Sequence, residues 1–377
     1  MRVLMLGAGA LIGLNAAADA AERTVTPRAA LIAAVGGYDA QGPIEAQPTA
    51  RAELGVDARW LLDSGVTVGA ALGAAAEIDN RRRGFLGGCA PGANGCALIA
   101  PITNVATDPN ARSGRARAAI EDAYVFVEGP WGEASVGRDI GAAARFSLPP
   151  PDIVRGATLA DPLIDPTGLG GIPLSADLTG YSAKVTAISP RWLGVKVGVS
   201  YAPEAKTDRL SRPVVRAVGR PFEGDDAIEA GASFSRTWAN GVETTLGLGW
   251  SETEGGAAFG DVSALSLGAH IARGPVRLGV AALEGEVGTA PGREIRSLAV
   301  GGTYEAGAWR FAAGAGRLRD QWFGQTVETA RIGARKRFGE AFSVALVAQT
   351  GDRTADSAVS AHKQRFSGAT LEISLDL

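Results

Sequence analysis

The sequence predicts an all-β protein: a transmembrane antiparallel β-barrel of about sixteen strands, with tight turns at one end and long loops at the other. Three observations predict it. Apolar and polar residues alternate with period two from about residue 28 onward. Beyond the first twenty residues no window holds eighteen consecutive apolar residues, which excludes membrane-spanning helices. The alternation also runs to the end of the chain, "GATLEISLDL", where a soluble domain usually frays into a polar tail.

Taken from the start, "MRVLMLGAGALIGLNAAADA" joins a basic Arg2 to an apolar stretch from Val3 to Leu14 and ends in small residues at Ala18–Ala20. This is the pattern of a secretory signal peptide over residues 1–20, with a buried first helix or strand as the alternative, and residues 21–377 are left for the barrel. The internal "GAGALIG" resembles a dinucleotide loop but follows no strand. Export places Cys89 and Cys96 where disulfides persist, and the Pro- and Gly-containing segment between them suits a bridge. His270 and His362 are the chain's two histidines, and neither stands at zinc-motif spacing from those cysteines, so a metal reading lacks further ligands beside them. Lys and Arg number 37 against 40 Asp and Glu, so no basic excess points to nucleic acid.

The strands follow in order. In "ARAELGVDARWLL" Ala52, Leu54, Val56, Ala58 and Trp60 share one face, opposite Arg51, Glu53, Asp57 and Arg59. After the turn "DSG", "VTVGAALGAAAEID" repeats the pattern, with Glu77 and Asp79 on the polar side. "VETTLGLGWS" and "LSLGAHIA" do the same, and "ANG", "RGP", "AGA" and "FGEA" are short enough to be hairpin turns. The full set is 28–38, 50–61, 66–79, 119–128, 133–138, 181–188, 194–202, 227–238, 242–251, 262–272, 276–285, 295–305, 308–317, 326–337, 342–350 and 365–377.

The apolar faces are rich in Ala with scattered Leu, Val and Ile, a surface that lipid accepts more readily than a packed core does. The reverse faces carry Gly, Ser, Thr, Glu and Arg, as the wall of a wet lumen requires. Lipid cannot satisfy an open strand edge, so the last strand must pair with the first. On that last strand Leu371, Ile373, Leu375 and Leu377 are assigned to lipid, and Thr370, Glu372, Ser374 and Asp376 to the lumen. Trp60, Trp131, Trp192, Trp238, Trp250, Trp309, Phe338 and Phe342 lie near strand ends, as aromatic girdles do.

Two segments carry a family resemblance. "AYVFVEGPWGEASVGRD" (Ala123–Asp139) and "SAKVTAISPRWLGVKVGVSYAP" (Ser182–Pro203) resemble hairpins of the Gram-negative general diffusion porins, particularly those of alphaproteobacteria. The resemblance implies a homotrimer in the bacterial outer membrane, in contact with its lipid and lipopolysaccharide, without a cofactor. It also implies passive passage of ions and small hydrophilic solutes, periplasmic tight turns, extracellular long loops, and a third loop folded inward to narrow the lumen. Here that loop is residues 140–180, stiffened by Pro149, Pro150 and Pro151, with Asp152, Asp161 and Asp165 as candidate constriction acids. Two departures stand out: the terminal residue is Leu377 where the family most often has Phe, and the loop lacks the family's acidic-aromatic-glycine run.

Strand parity nominates the wall bases as Arg51, Arg59, Lys184, Lys196, Arg310, Arg331, Arg335 and Arg337; the resemblance adds Arg138. Acids and bases facing one another across a narrow wet passage would impose a transverse field on dipolar solutes. The alternative for each is a solvated wall charge away from the narrowest point. No GxSxG, HExxH or P-loop motif points to an enzyme. A substrate-specific channel, an adhesin barrel and a barrel hydrolase are the other readings, and the first would need an aromatic track along the lumen. The barrel prediction is checked by circular dichroism of purified protein, which is expected to be β-dominated and to require detergent. A helical spectrum or a detergent-free soluble monomer would contradict it.

Overall fold

The computed structural model describes residues 20–40, 46–80, 102–103, 116–168, 171–206, 210, 223–255, 260–288, 294–321, 324–357 and 360–376. They form sixteen strands: β1 (Ala20–Ala40), β2 (Thr49–Leu62), β3 (Thr67–Ile78), β4 (Arg117–Gly129), β5 (Gly132–Asp139), β6 (Ser182–Ile188), β7 (Val195–Lys206), β8 (Glu223–Thr237), β9 (Glu243–Gly255), β10 (Val262–Arg273), β11 (Val276–Val287), β12 (Glu294–Ala306), β13 (Trp309–Asp320), β14 (Gln325–Phe338), β15 (Phe342–Ser357) and β16 (Ser360–Asp376). A single turn of helix, α1 (Ala142–Arg145), follows β5. Residues 1–19 of the segment read above as a signal peptide, Cys89, Cys96 and Leu377 lie outside the described residues, as does the side chain of His362.

Each strand pairs antiparallel with its sequence neighbours, and β1 closes on β16. The closing seam runs from Ala30↔Asp376 to Ala40↔Phe366, while β1 pairs with β2 from Ala34↔Thr49 to Ala20↔Leu62. Every strand expected from the sequence is present. The first begins at Ala20 rather than at 28, because its opening "AERTVTPR" lacks alternation and is held by pairing with β2.

The two faces separate as parity requires. Val197, Val199, Leu267, Leu298, Leu346, Leu371 and Ile373 point outward and are exposed, whereas Ser200, Ser266, Ser297 and Glu372 point inward and are buried. Trp60, Trp131, Trp192, Trp238, Trp309, Phe338 and Phe342 gather at the tight-turn end, while Trp250 stands farther along β9. Lys336 reaches into this belt, its Nζ 5.3 Å from the Trp309 ring and 5.0 Å from that of Phe338. That geometry lets its stem lie along apolar surface while the charge meets aromatic faces. Gly241 and Gly274 take positive φ (74° and 55°) in two of the tight turns, a conformation that a side chain would strain.

One expectation is corrected. The lumen wall is not uniformly polar: toward the long-loop end Val262, Leu283, Val287, Ile295, Leu318 and Val327 face inward. They pack on Leu159, Ile172, Leu174 and Leu178 of the β5–β6 connection. Each such side chain contributes about 1.5–3 kcal/mol on full burial. The barrel therefore has an internal apolar core as well as a polar lining, and that core fixes the loop inside.

The face assignment yields a test on positions of opposite face. Val197 faces outward opposite Ala232, and Ser233 faces inward opposite Lys196. At an outward site farther from the turns, mid-β10, Leu267→Arg is expected to cost about 2–4 kcal/mol and to lower the yield of heat-modifiable barrel, with little loss for Ser233→Glu opposite Lys196. Equal yields on gel-shift assay would reverse the assignment.

Candidate pore site

The connection from β5 to β6 runs around the inside of the barrel. Its backbone is satisfied by wall side chains, as buried polar groups require. Near its start, the amide of Ala142 donates to Ser200 Oγ at 2.9 Å on β7. Arg145 then pairs with Glu133 at 3.4 Å and with Asp139. The proline corner follows, with His270 Nε2 on β10 in hydrogen-bond contact with the Pro149 carbonyl at 2.8 Å. On the return path Ser251 Oγ donates to the Ala176 carbonyl at 2.5 Å, and Thr179 Oγ1 donates to Glu229 at 2.6 Å.

The middle of the loop is clamped at two points. Asp152 caps its own turn by accepting the amides of Ile153 and Leu159 at 2.7 and 3.1 Å, and pairs with Arg331 of β14. Arg331 also donates to the Ala157 carbonyl at 2.9 Å. Two strands away, Glu372 of β16 accepts three successive amides, Arg155, Gly156 and Ala157, at 2.6, 3.0 and 2.8 Å. A buried carboxylate holding three N–H donors is a strong anchor, because each bond is charge-assisted. Gly156 is required here, since a Cβ would come within 2.8 Å of Ile164 and 2.9 Å of Ile32.

The structure thus brings one nominated loop acid, Asp152, to one nominated wall base, Arg331. Asp161 and Asp165 hold backbone within the loop, and Asp165 also interacts electrostatically with Arg353 of β15. Asp161 accepts the Leu174 amide at 2.9 Å, and Asp165 is buried and accepts the amide and hydroxyl of Thr167 at 2.9 and 2.5 Å. Arg51 sits buried among Glu53 (2.6 Å), Glu77 (3.2 Å) and Glu121, and Lys184 is buried under the loop's end, donating to Thr179 and the Gly180 carbonyl at 2.5 and 2.9 Å. Arg59 pairs with Glu128 at 3.5 Å, 5.1 Å from the Phe126 ring. Lys196 keeps lumenal parity opposite Ser233. Arg138 does not: it shares the outward parity of Ala134 and Val136, and its Nε donates to the Ile120 carbonyl at 2.7 Å.

Arg310, Arg335 and Arg337 form a basic wall on β13 and β14 at the tight-turn end. Arg310 and Arg335 are directly opposed in register, a like-charge pairing relieved in part by the Arg310–Glu305 ion pair, while Arg335 donates to the Ile153 carbonyl at 3.4 Å. Beside it a cavity of about 330 Å³ is lined by Asp152, Glu243, His270, Arg277, Glu305 and Arg310 among others.

Residues that strand parity left unnamed complete the site. A second cavity, of about 290 Å³, opens between the loop and β1–β4 and is lined by Arg28, Glu53, Glu121, Asp122, Arg155, Tyr181 and Asp376 among others. Arg28 bridges Asp57 and Asp122 at 2.7 and 2.8 Å. Burial, then the charge of Glu121, raise the Tyr181 phenol above its usual range against the pull of Arg51, so it stays a neutral O–H. Glu53 was legible, since it shares a face with Arg51. Glu121 and Asp122 both reach inward because the β3–β4 register shifts between Gly73 and Ala74, which strict alternation does not foresee. Among the described residues no group of three or more His, Cys, Asp or Glu is placed to hold a metal ion.

Comparison with known proteins follows this geometry. Among solved structures, the anion-selective porin from Comamonas acidovorans superposes with a TM-score of 0.58 at 14% identity, covering 94% of this chain and 100% of that one. In-vitro folded OmpT, an outer membrane protein of Vibrio cholerae, gives 0.57 at 12%, covering 95% and 100%. A triple mutant of Rhodopseudomonas blastica porin gives 0.53 at 13%, covering 94% and 100%. At these identities the likeness speaks for the fold alone. No curated protein matches by sequence. The Gram-negative porin family profile matches residues 7–356, nearly the whole chain, and the chain therefore belongs to the Gram-negative porin family.

Proposed function

We propose that this porin is a general diffusion channel of the outer membrane, passing ions and small hydrophilic solutes passively. The observation that carries the reading is a closed barrel whose inward loop leaves two cavities lined by ionised side chains. A passage bordered by charged groups that replace part of a solute's hydration favours polar solutes and disfavours apolar ones. In this reading the tight turns are periplasmic, the long loops extracellular, and residues 1–20 an export signal. The likeness of the 123–139 and 182–203 hairpins to alphaproteobacterial porins supports a homotrimer surrounded by lipid and lipopolysaccharide.

The constriction roles follow the clamps. Asp152 and Arg331 act as the loop-to-wall pair, with Arg310, Arg335 and Arg337 as bases beside the periplasmic mouth. Asp161, Asp165, Arg51 and Lys184 set the loop and wall in place rather than meeting solute. A specific channel would need an aromatic track, whereas Trp309, Phe311, Phe338 and Phe342 are exposed on the outer face.

Single-channel recording in a planar bilayer tests the reading. Purified protein is expected to give discrete conductance steps that rise with salt concentration without saturating. Removing most of residues 147–175 while keeping β5 and β6 should raise conductance by widening the passage. No channel activity from folded protein would overturn the proposal, and unchanged conductance after the deletion would place the loop outside the solute path.

A further inference from the structure

We infer that Arg155 determines charge selectivity by bridging the inward loop to an acidic wall, an inference that rests on the channel reading above. The loop supplies the base and the barrel the acids, the reverse of the arrangement that the sequence suggested. Arg155 pairs with Glu53 of β2 at 3.3 Å and with Asp376 near the end of β16, so one guanidinium reaches from the loop to two parts of the wall on either side of β1. Its side chain keeps 32% of its surface exposed, so it meets the open space rather than a sealed core.

Three features make this placement specific. The backbone beneath the side chain is immobilised, because the amides of residues 155–157 are held by Glu372 and the Ala157 carbonyl by Arg331. The close approach at Gly156 leaves the segment little room to shift. The cavity that Arg155 lines is also rich in acid: Glu53, Glu121, Asp122 and Asp376 line it with Arg28 and Arg155, and the buried Arg51 pairs with Glu53 and Glu121. Arg28 is already occupied by Asp57 and Asp122. Arg155 is therefore the cation that the loop brings to Asp376 and to Glu53, which Arg51 also holds at 2.6 Å; without it Asp376 would lose that offset and Glu53 would be left to Arg51, so the passage would gain net negative charge.

The consequence concerns inorganic ions and small charged solutes alike. Fixed charge sets the counter-ion concentration within a Debye length, about 10 Å at 0.1 M salt and about 3 Å at 1 M. Removing Arg155 should leave the passage more negative and shift preference toward cations, whereas removing its acidic partners should shift it toward anions.

The test is the reversal potential of single channels in a potassium chloride gradient. Arg155→Gln is expected to move it toward cation preference, with the larger displacement at 0.1 M than at 1 M salt, and Arg155→Lys should stay near wild type. Glu53→Gln combined with Asp376→Asn should move it the opposite way, which keeps the inference testable if Arg155→Gln assembles poorly. Wild-type channels whose reversal potential changes in neither variant would overturn the role of Arg155 while leaving the channel reading intact. If the wild-type protein formed no channels, the channel reading itself would fall instead.

Discussion

Backbone amides and carbonyls that face hydrocarbon have no partner but one another, and the rest of this molecule follows from that constraint. It demands closure, met by the β1–β16 seam from Ala30↔Asp376 to Ala40↔Phe366. Closure fixes which face of each strand looks inward, and the period of two then divides every strand between lipid and lumen. The final strand carries both demands at once. Leu371 and Ile373 cover its outer side, while Glu372 between them supplies the carboxylate that holds the loop. The seam that closes the barrel is thus also the place where the inward loop is fastened.

A loop inside a barrel faces its own version of the same problem. Its backbone must find partners away from bulk water, and the wall supplies them through Ser200, Ser251 and Glu372. Its neutral hydrogen bonds contribute a net ~1 kcal/mol each, and those to the Glu372 carboxylate about 1.5–3 kcal/mol. The apolar core of Leu159, Ile172, Leu174 and Leu178 against Val262, Leu283, Ile295 and Leu318 adds the larger part. Inward-facing valines and leucines therefore do not contradict a channel; they mark the half of the lumen given over to holding the loop. The cavities with ionised linings lie on the other side, near β1–β4 and the tight-turn mouth.

Legibility in the sequence followed the range of the interaction. Period-two alternation is a local property, so the strands and their faces could be read directly, Leu371 and Glu372 included. The boundary at Ala20 could not, because pairing with β2 rather than alternation holds that stretch. Loop acids could be found but not ranked: Asp152, Asp161 and Asp165 look equivalent in sequence, yet Asp152 meets the nominated wall base Arg331, while Asp161 accepts the Leu174 amide and Asp165 the amide and hydroxyl of Thr167. Arg138 shows the limit of resemblance, since parity on β5 turns it outward beside Ala134 and Val136. Arg155 and Glu372 were invisible as a unit because 217 residues separate them, and nothing local to either announces the other.

The charges inside the barrel are unevenly distributed, and the unevenness follows strand order. Acids concentrate on β2 and β4, with Glu53, Asp57, Glu121 and Asp122, whereas Arg310, Arg335 and Arg337 stand on β13 and β14. Between these walls lie β1, β15 and β16, where the loop is clamped by Glu372 and where Arg155 reaches across to Glu53. Opposed directly at Arg310 and Arg335, like charges cost stability. Arg28 and Arg51 neutralise acids of β2 and β4 pairwise, so the contrast is between an acid-rich ion-pair network on that side and a mostly basic stretch on β13 and β14; in the channel reading proposed above this contrast would set a field across the lumen. A dipolar solute can align with such a field, and an apolar one gains nothing to offset lost hydration. The like-charge neighbours on β13 and β14 and the fastening of the loop thus meet in one arrangement: the clamp holds Arg155 against the acid-rich side of the lumen.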